Sequence, residues 1–214
     1  MTQVTGRYHD LVRSDVFPAL PANLGKILDF GGGVGATAAK LKSDGRAEFA
    51  VLADRVAENA LDGIDAAFSG DLEDVEFIRM VVANAGPFDT ILALDILEHL
   101  RDPWRVVEVL RDALVPNGVI VASIPNVNHY KLVMPLVLRG RYELQESGIL
   151  DKTHLRWFVE RGAVELMSPP GLKVEVVIPN ILGLALVRLN RVTLGRLSRF
   201  LALQYVIRAR RVGE

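Results

Sequence analysis

Ten residues, Lys26-Ile27-Leu28-Asp29-Phe30-Gly31-Gly32-Gly33-Val34-Gly35, constrain the fold more than any other stretch of the chain. Ile27, Leu28 and Phe30 read as a short buried strand with Asp29 near its end. Gly31, Gly33 and Gly35 follow at every second position, and Thr37-Ala38-Ala39-Lys40-Leu41 reads as a helix. Glycines at a strand-to-helix turn let a ligand approach the backbone and meet the helix N-terminus. The pattern predicts a nucleotide-type pocket, and Gly31-x-Gly33-x-x-Ala36 also fits a dinucleotide loop. Asp29 discriminates. Beside a pyrophosphate it would put two anions in one small site, whereas a ligand that brings positive charge suits it.

The rest of the chain alternates strand and helix patterns. Strands are expected at 26–30, 48–53, 64–68, 88–94 and 118–124, with helices at 35–42, 56–61, 72–83 and 102–114. The last of these helices carries its own signals: Asp102 as N-cap, Pro103 at the first helical position, then Val106, Val107, Val109, Leu110 and Leu114. Such alternation predicts an α/β fold with a doubly wound, mostly parallel sheet. Residues 126–158 lack sustained periodicity and read as an insertion on the acceptor side. Beyond it come a helix at 159–167, a strand at 172–178, a helix at 184–202 and a strand at 204–209, which places the last strand as a late insertion into the sheet. No repeat or linker divides the chain, so one domain over 1–214 is expected, with an N-terminal lid at about 1–22.

Composition narrows the class. The 214 residues contain no cysteine, which excludes disulfides, thiolate zinc sites and a cysteine nucleophile, and makes the cytoplasm the expected compartment. No apolar run reaches the roughly 18 residues of a membrane span, and the N-terminus has no apolar signal segment. The four histidines are scattered in sequence with no HExxH pattern or carboxylate cluster, so metal-independent chemistry is expected. A net charge of −1 argues against a general nucleic-acid binder and against DNA. The charge is uneven, however. From Ile181 onward seven arginines (188, 191, 196, 199, 208, 210 and 211) face Glu214 alone, giving +6 there and −7 elsewhere.

Several motifs in order resemble the class I S-adenosylmethionine-dependent methyltransferases. They are Asp29-x-Gly31-x-Gly33-x-Gly35, Asp54 closing the second strand, Gly70-Asp71-Leu72-Glu73, and Phe88 to Leu100 with Asp95-Ile96-Leu97-Glu98-His99 at its end. Pro116-Asn117-Gly118 and Ile124-Pro125-Asn126 extend the match. The segment Ser147–Phe158 looks like a subgroup associated with sugar or cell-surface glycan modification. The resemblance implies a Rossmann-like seven-stranded sheet with an antiparallel last strand. It also implies S-adenosylmethionine as cofactor: Gly31, Gly33 and Gly35 under its methionine part with Asp29 nearby, Asp54 on the ribose hydroxyls, Asp71 and Leu72 at the adenine, Asp95 and Ile96 facing the sulfonium. Asp54 also stands about 20 residues after the glycines, where an acid reaches a ribose. Two departures are Phe30 and Gly32 in place of commoner small or cysteine residues, expected to be harmless, and Ser168-Pro169-Pro170-Gly171 in place of an Ala-Gly-aromatic turn.

The reaction expected is in-line methyl transfer to a small-molecule acceptor, such as a sugar or nucleotide-sugar, at oxygen or nitrogen. Alignment of that kind supplies on the order of 7–11 kcal/mol. A hydroxyl acceptor wants a base near neutral pH, which suggests His154 and then His99. The bland reading makes both histidines loop anchors. Tyr8, Asn126, His129, Tyr130 and Arg156 are the expected acceptor contacts, each with a surface or structural alternative. Arginines 188, 191, 196 and 199 read either as a solvated helix face or as a site for a phosphate-bearing acceptor or an anionic membrane. An RNA methyltransferase and an inactive cofactor-binding partner protein stay open as alternatives, as does a homodimer.

Overall fold

The computed structural model describes residues 11–213; Tyr8 and the first part of the expected lid lie outside them. Seven strands form one sheet: β1 Gly25–Phe30, β2 Ala47–Asp54, β3 Ala66–Ser69, β4 Phe88–Leu94, β5 Leu114–Pro125, β6 Leu172–Asn180 and β7 Gln204–Arg211. Their order is β3-β2-β1-β4-β5-β7-β6. The first five pair in parallel, and β7 runs antiparallel between β5 and β6. The doubly wound sheet with an antiparallel late insertion is thus as the sequence leads one to expect.

Central strands are apolar on both faces, as a sheet covered on both sides requires. Alternate residues part to opposite layers. Leu28, Phe30, Ile91, Ala93, Ile120 and Ala122 pack on one side with Ile78, Val107 and Leu110. Ile27, Leu92, Leu94, Val119 and Val121 pack on the other with Ala38, Leu41 and Val16. The helices supplying these partners are α1 Ala36–Ser43, α2 Val75–Ala85 and α3 Pro103–Asp112, together with a 3-10 turn at Ser14–Ala19. Asp102 caps α3 as expected, accepting the Arg105 N–H at 3.1 Å.

Some element boundaries are corrected. The helix expected at 56–61 is only a 3-10 turn, Ala57–Asn59. α2 begins at Val75 rather than 72, because Asp74 and not Asp71 caps it, accepting the Glu76 N–H at 2.9 Å. The insertion contains a helix, α4 Tyr130–Arg139, with Pro135 inside it and Leu132 its one buried residue. After α5 Glu160–Leu166, the expected 184–202 helix divides into α6 Leu184–Val192 and α7 Ser198–Leu201. Between them Leu194 and Gly195 adopt φ of +51° and +78°, which no α-helix accommodates.

Candidate functional site

The carboxyl ends of β1, β2, β4 and β5 open onto one edge of the sheet, the edge where ligands of open α/β folds bind. The glycine loop leaves β1 there. Gly31, Gly33 and Gly35 have φ of +79°, +62° and +83°, the left-handed region that favours glycine. Space demands glycine as well: a Cβ on Gly31 would stand 2.6 Å from Ile96 Cγ1. Gly31 N–H donates to Ala53 O at 2.8 Å, and Gly33 N–H to Asp54 Oδ2 at 2.8 Å. Asp54 Oδ1 also accepts the Val56 N–H at 3.0 Å. A carboxylate offers about four lone-pair sites, so Asp54 holds the loop and keeps acceptor capacity toward the cleft.

Asp29 lies beneath this loop and is 1% exposed. A Cβ on Gly32 would stand 2.3 Å from its Cγ, so Gly32 is not an indifferent substitution but the residue that makes room for the acid. Asp29 accepts the Ala38 N–H in the first turn of α1, and its Oδ2 has no partner among the described residues. Burial pushes its carboxyl up to about 7, against the Ala38 hydrogen bond, and nearby Asp54 raises it further. Between pH 3.8, its ordinary value, and about 7, the folded chain therefore holds a proton that the unfolded chain releases. The stability this proton confers is complete at lower pH and is lost as pH rises through the window. Asp29→Asn should remove that fall, gaining on wild type by on the order of 4 kcal/mol between pH 4 and pH 8. Denaturant titrations at both pH values check this; a difference that does not change with pH sinks the assignment.

Asp71 is exposed and paired with Arg55 Nη2 at 2.9 Å. The Arg55 hydrogen bond holds its carboxyl below the usual range. An adenine amino group would share Asp71 with that guanidinium. Leu72 beside it is buried.

At the end of β4, Asp95 adopts φ of +53°, uncommon for a residue with a side chain. Its N–H donates to Ser123 Oγ at 3.0 Å, while that hydroxyl donates back to Asp95 Oδ1 at 2.6 Å. Arg13 Nη1 donates to Asp95 Oδ2, and Arg13 also pairs with Asp15, Nε to Oδ1 at 2.9 Å. Asn180 and Gln204 donate to Asp15 at 3.0 and 2.9 Å. Burial would raise Asp15, but the Arg13 hydrogen bond and charge outweigh it and hold the carboxyl low. Arg13 and Ser123 carry no signal in the sequence; only the fold brings them to Asp95.

Next along the chain, Glu98 is 1% exposed with neither carboxylate oxygen hydrogen-bonded among the described residues. Burial, and then the charge of Asp95, push its carboxyl well above the ordinary range. His154, also buried, lies with Nε2 3.9 Å from Glu98 Oε1, and its ring meets that of His99 edge-on at 4.7 Å. Burial and then the neighbouring His99 lower His154. The structure thus brings His99 and His154 together, and corrects the premise that no carboxylate stands among the histidines.

The expected acceptor contacts are redistributed. Asn126 is fully buried, donating to Arg199 O at 2.9 Å and Ala202 O at 2.8 Å and accepting the Asn128 N–H. It ties the end of β5 to α7 and has no group left for an acceptor. His129 is buried as the N-cap of α4, accepting the Lys131 N–H, with Tyr130 packed on its ring at 4.6 Å. Arg156 donates to the carbonyls of Arg101 and Leu155 and stacks 6.0 Å over Trp104.

A glycine loop, an acid closing β2 and an inserted antiparallel strand together define a class I methyltransferase fold. Comparison with known proteins agrees: residues 3–176 match the family described as "Methyltransferase domain", and the chain belongs to it. A tRNA 5-carboxymethoxyuridine methyltransferase of Escherichia coli O157:H7 is 26% identical over 168 residues, covering 70% of this chain and 63% of that protein. The chain therefore spans less than two thirds of that relative. A solved S-adenosylmethionine-dependent methyltransferase from Mesorhizobium loti superposes with a TM-score of 0.59 at 16% identity, covering 92% of this chain and 96% of the other. The Haloferax volcanii complex of the Trm112 methyltransferase activator with a putative methyltransferase matches with a TM-score of 0.62 at 15% identity, covering 96% and 90%. The chain thus carries a methyltransferase domain on a fold it shares with solved S-adenosylmethionine-dependent methyltransferases. Among the described residues no helix is long and apolar enough to cross a membrane.

Proposed function

We propose that the chain methylates a nucleoside within an RNA. The glycine loop, with Asp29 buried beneath it, and the spare acceptor capacity of Asp54 fit the ribose hydroxyls of S-adenosylmethionine, which when bound supplies an electrophilic methyl carbon. Asp95 and Ile96, against Gly31, would border that carbon. With no ion on its ring, His154, whose basicity burial lowers, suits the acceptance of a proton from a hydroxyl.

The observation that carries the acceptor reading is where the arginines sit. Asn126 holds the Arg199 carbonyl at the carboxyl end of β5, which brings the Arg199 end of the basic segment to that end of the strand. Arg188, Arg191, Arg196 and Arg199 are all exposed and, among the described residues, pair with no acid. The similarity to a tRNA methyltransferase supports the same reading. Four phosphate contacts to a single strand give a salt slope of about −3, or roughly a fifty-fold loss of affinity between 50 and 200 mM salt. Filter binding of a tRNA pool should show this slope, and replacing all four arginines by alanine should abolish it. Salt-insensitive binding, or binding that the substitutions leave unchanged, would return the acceptor to a small molecule. A nucleotide-sugar is the second reading, favoured by the net −7 outside the arginine segment, which repels a long polyanion. Radiolabelled methyl recovered in RNA or in a small-molecule fraction separates the two, and turnover on neither supports an inactive partner protein.

A further inference from the structure

Around Glu98 the fold gathers lone pairs, and neither carboxyl oxygen finds a hydrogen-bond donor in geometry among the described residues. His154 Nδ1 lies 3.1 Å from Ile149 O, and a carbonyl only accepts, so that nitrogen carries the proton. Thr153 gives its single hydroxyl proton to Asp151 Oδ1 at 2.6 Å and so receives one from His99 Nδ1 at 3.1 Å. The Nδ1 hydrogen bonds thereby leave Nε2 of each ring as the nitrogen that can offer a lone pair. One ligand atom from each of Glu98, His99 and His154 lies within 4.8 Å of the others. Within this cluster Glu98 is buried with both oxygens unpartnered, an arrangement that either a proton on the carboxyl or a bound cation relieves.

We propose that Glu98, His99 and His154 bind a divalent first-row transition cation. Two imidazoles and one carboxylate suit manganese, iron, cobalt, nickel or zinc, whereas magnesium and calcium prefer oxygen throughout. Metal–ligand bonds of about 2.0–2.2 Å set neighbouring ligand atoms roughly 3 Å apart, so atoms now up to 4.8 Å apart close by up to about 2 Å around the ion. The oxygens of Ile149 and Thr153 already orient the two rings, as the outer shell of a metal site does. His99 and His154 are far apart in the sequence, which is why the histidines read as scattered there. Three protein ligands leave coordination positions open. Resting on the methyl-transfer reading, those positions hold an oxygen of the acceptor beside Asp95, and ligation makes the two histidines positioning residues rather than proton acceptors.

The test uses the full chain, stripped with a chelator and dialysed. Mn2+ is titrated with free ion read by electron paramagnetic resonance, alongside calorimetric titration with S-adenosylhomocysteine. One Mn2+ per chain at micromolar Kd is expected, displaced by Zn2+ and weakened at least tenfold in Glu98→Gln and in His154→Ala. Glu98→Gln preserves shape, and His99→Ala, at the most exposed of the three positions, gives a further variant should either buried one fail to melt cooperatively. Absence of saturable binding, or binding that these substitutions leave unchanged, overturns the site. Homocysteine product bound without Mn2+ removes the cation site alone. Mn2+ bound without the product supports the cation site and removes the methyl-transfer reading.

Discussion

Asp54→Ala is expected to weaken S-adenosylhomocysteine binding at least tenfold, and up to about a hundredfold, while leaving the fold intact. The substitution acts twice. It removes the acceptor proposed for the ribose, and it releases the N–H groups of Gly33 and Val56 that the carboxylate now holds at 2.8 and 3.0 Å. Hydrogen bonds to a charged group are worth about 1.5–3 kcal/mol each, and tenfold in affinity is about 1.4 kcal/mol. The loop is loosened but not released, since Gly31 stays tied to Ala53 by its own hydrogen bond. Asp54→Asn keeps one acceptor and should fall between wild type and alanine. Calorimetric titration of the three proteins measures this directly, with melting curves as the folding control. An alanine variant that binds within twofold of wild type would mean that Asp54 serves the loop alone.

The glycine loop and Asp54 are legible in the sequence because everything that constrains them is local or fixed by strand ends. Three left-handed glycines between a buried strand and a helix leave few other structures available. The sheet follows from the alternation of strand and helix patterns, and its late insertion from the helix that precedes the last strand. Helix ends are less legible, because Asp71 and Asp74 are chemically equal caps and only packing selects the second. α4 hides because Pro135 interrupts its pattern and its apolar residues, Val137 and Leu138 among them, face outward. The acceptor side is least legible. Its residues meet across long separations, Arg13 with Asp95 and His99 with Thr153, and no periodicity encodes such a pairing. Asn126 illustrates the reverse error: a polar residue after a strand end suggests a ligand contact, yet two carbonyls of the C-terminal segment take both its protons.

Arg13→Ala should lower stability by about 2–3 kcal/mol, less than the 3–5 of a fully buried pair, because the side chains of Arg13, Asp95 and Asp15 are 20, 13 and 30% exposed. For a chain of this size that is a drop in Tm of roughly 4–12 °C. The loss is not shared evenly. Asp15 keeps its hydrogen bonds from Asn180 and Gln204, whereas the Asp95 carboxylate loses a guanidinium beside the buried Glu98, whose own carboxyl its charge already raises. A mostly buried Asp95 carboxylate left without its guanidinium is therefore the main cost, and Asp95→Asn added to Arg13→Ala should recover about 1 kcal/mol or more. Simple additivity of the two substitutions in a double-mutant cycle would contradict this account. The same cycle tests the link to the cofactor. Asp95 holds a left-handed backbone immediately before Ile96, the residue against which Gly31 packs. Loosening that turn removes support from the glycine loop, so Arg13→Ala should weaken S-adenosylhomocysteine binding several-fold although Arg13 lies in none of the motifs that mark the loop.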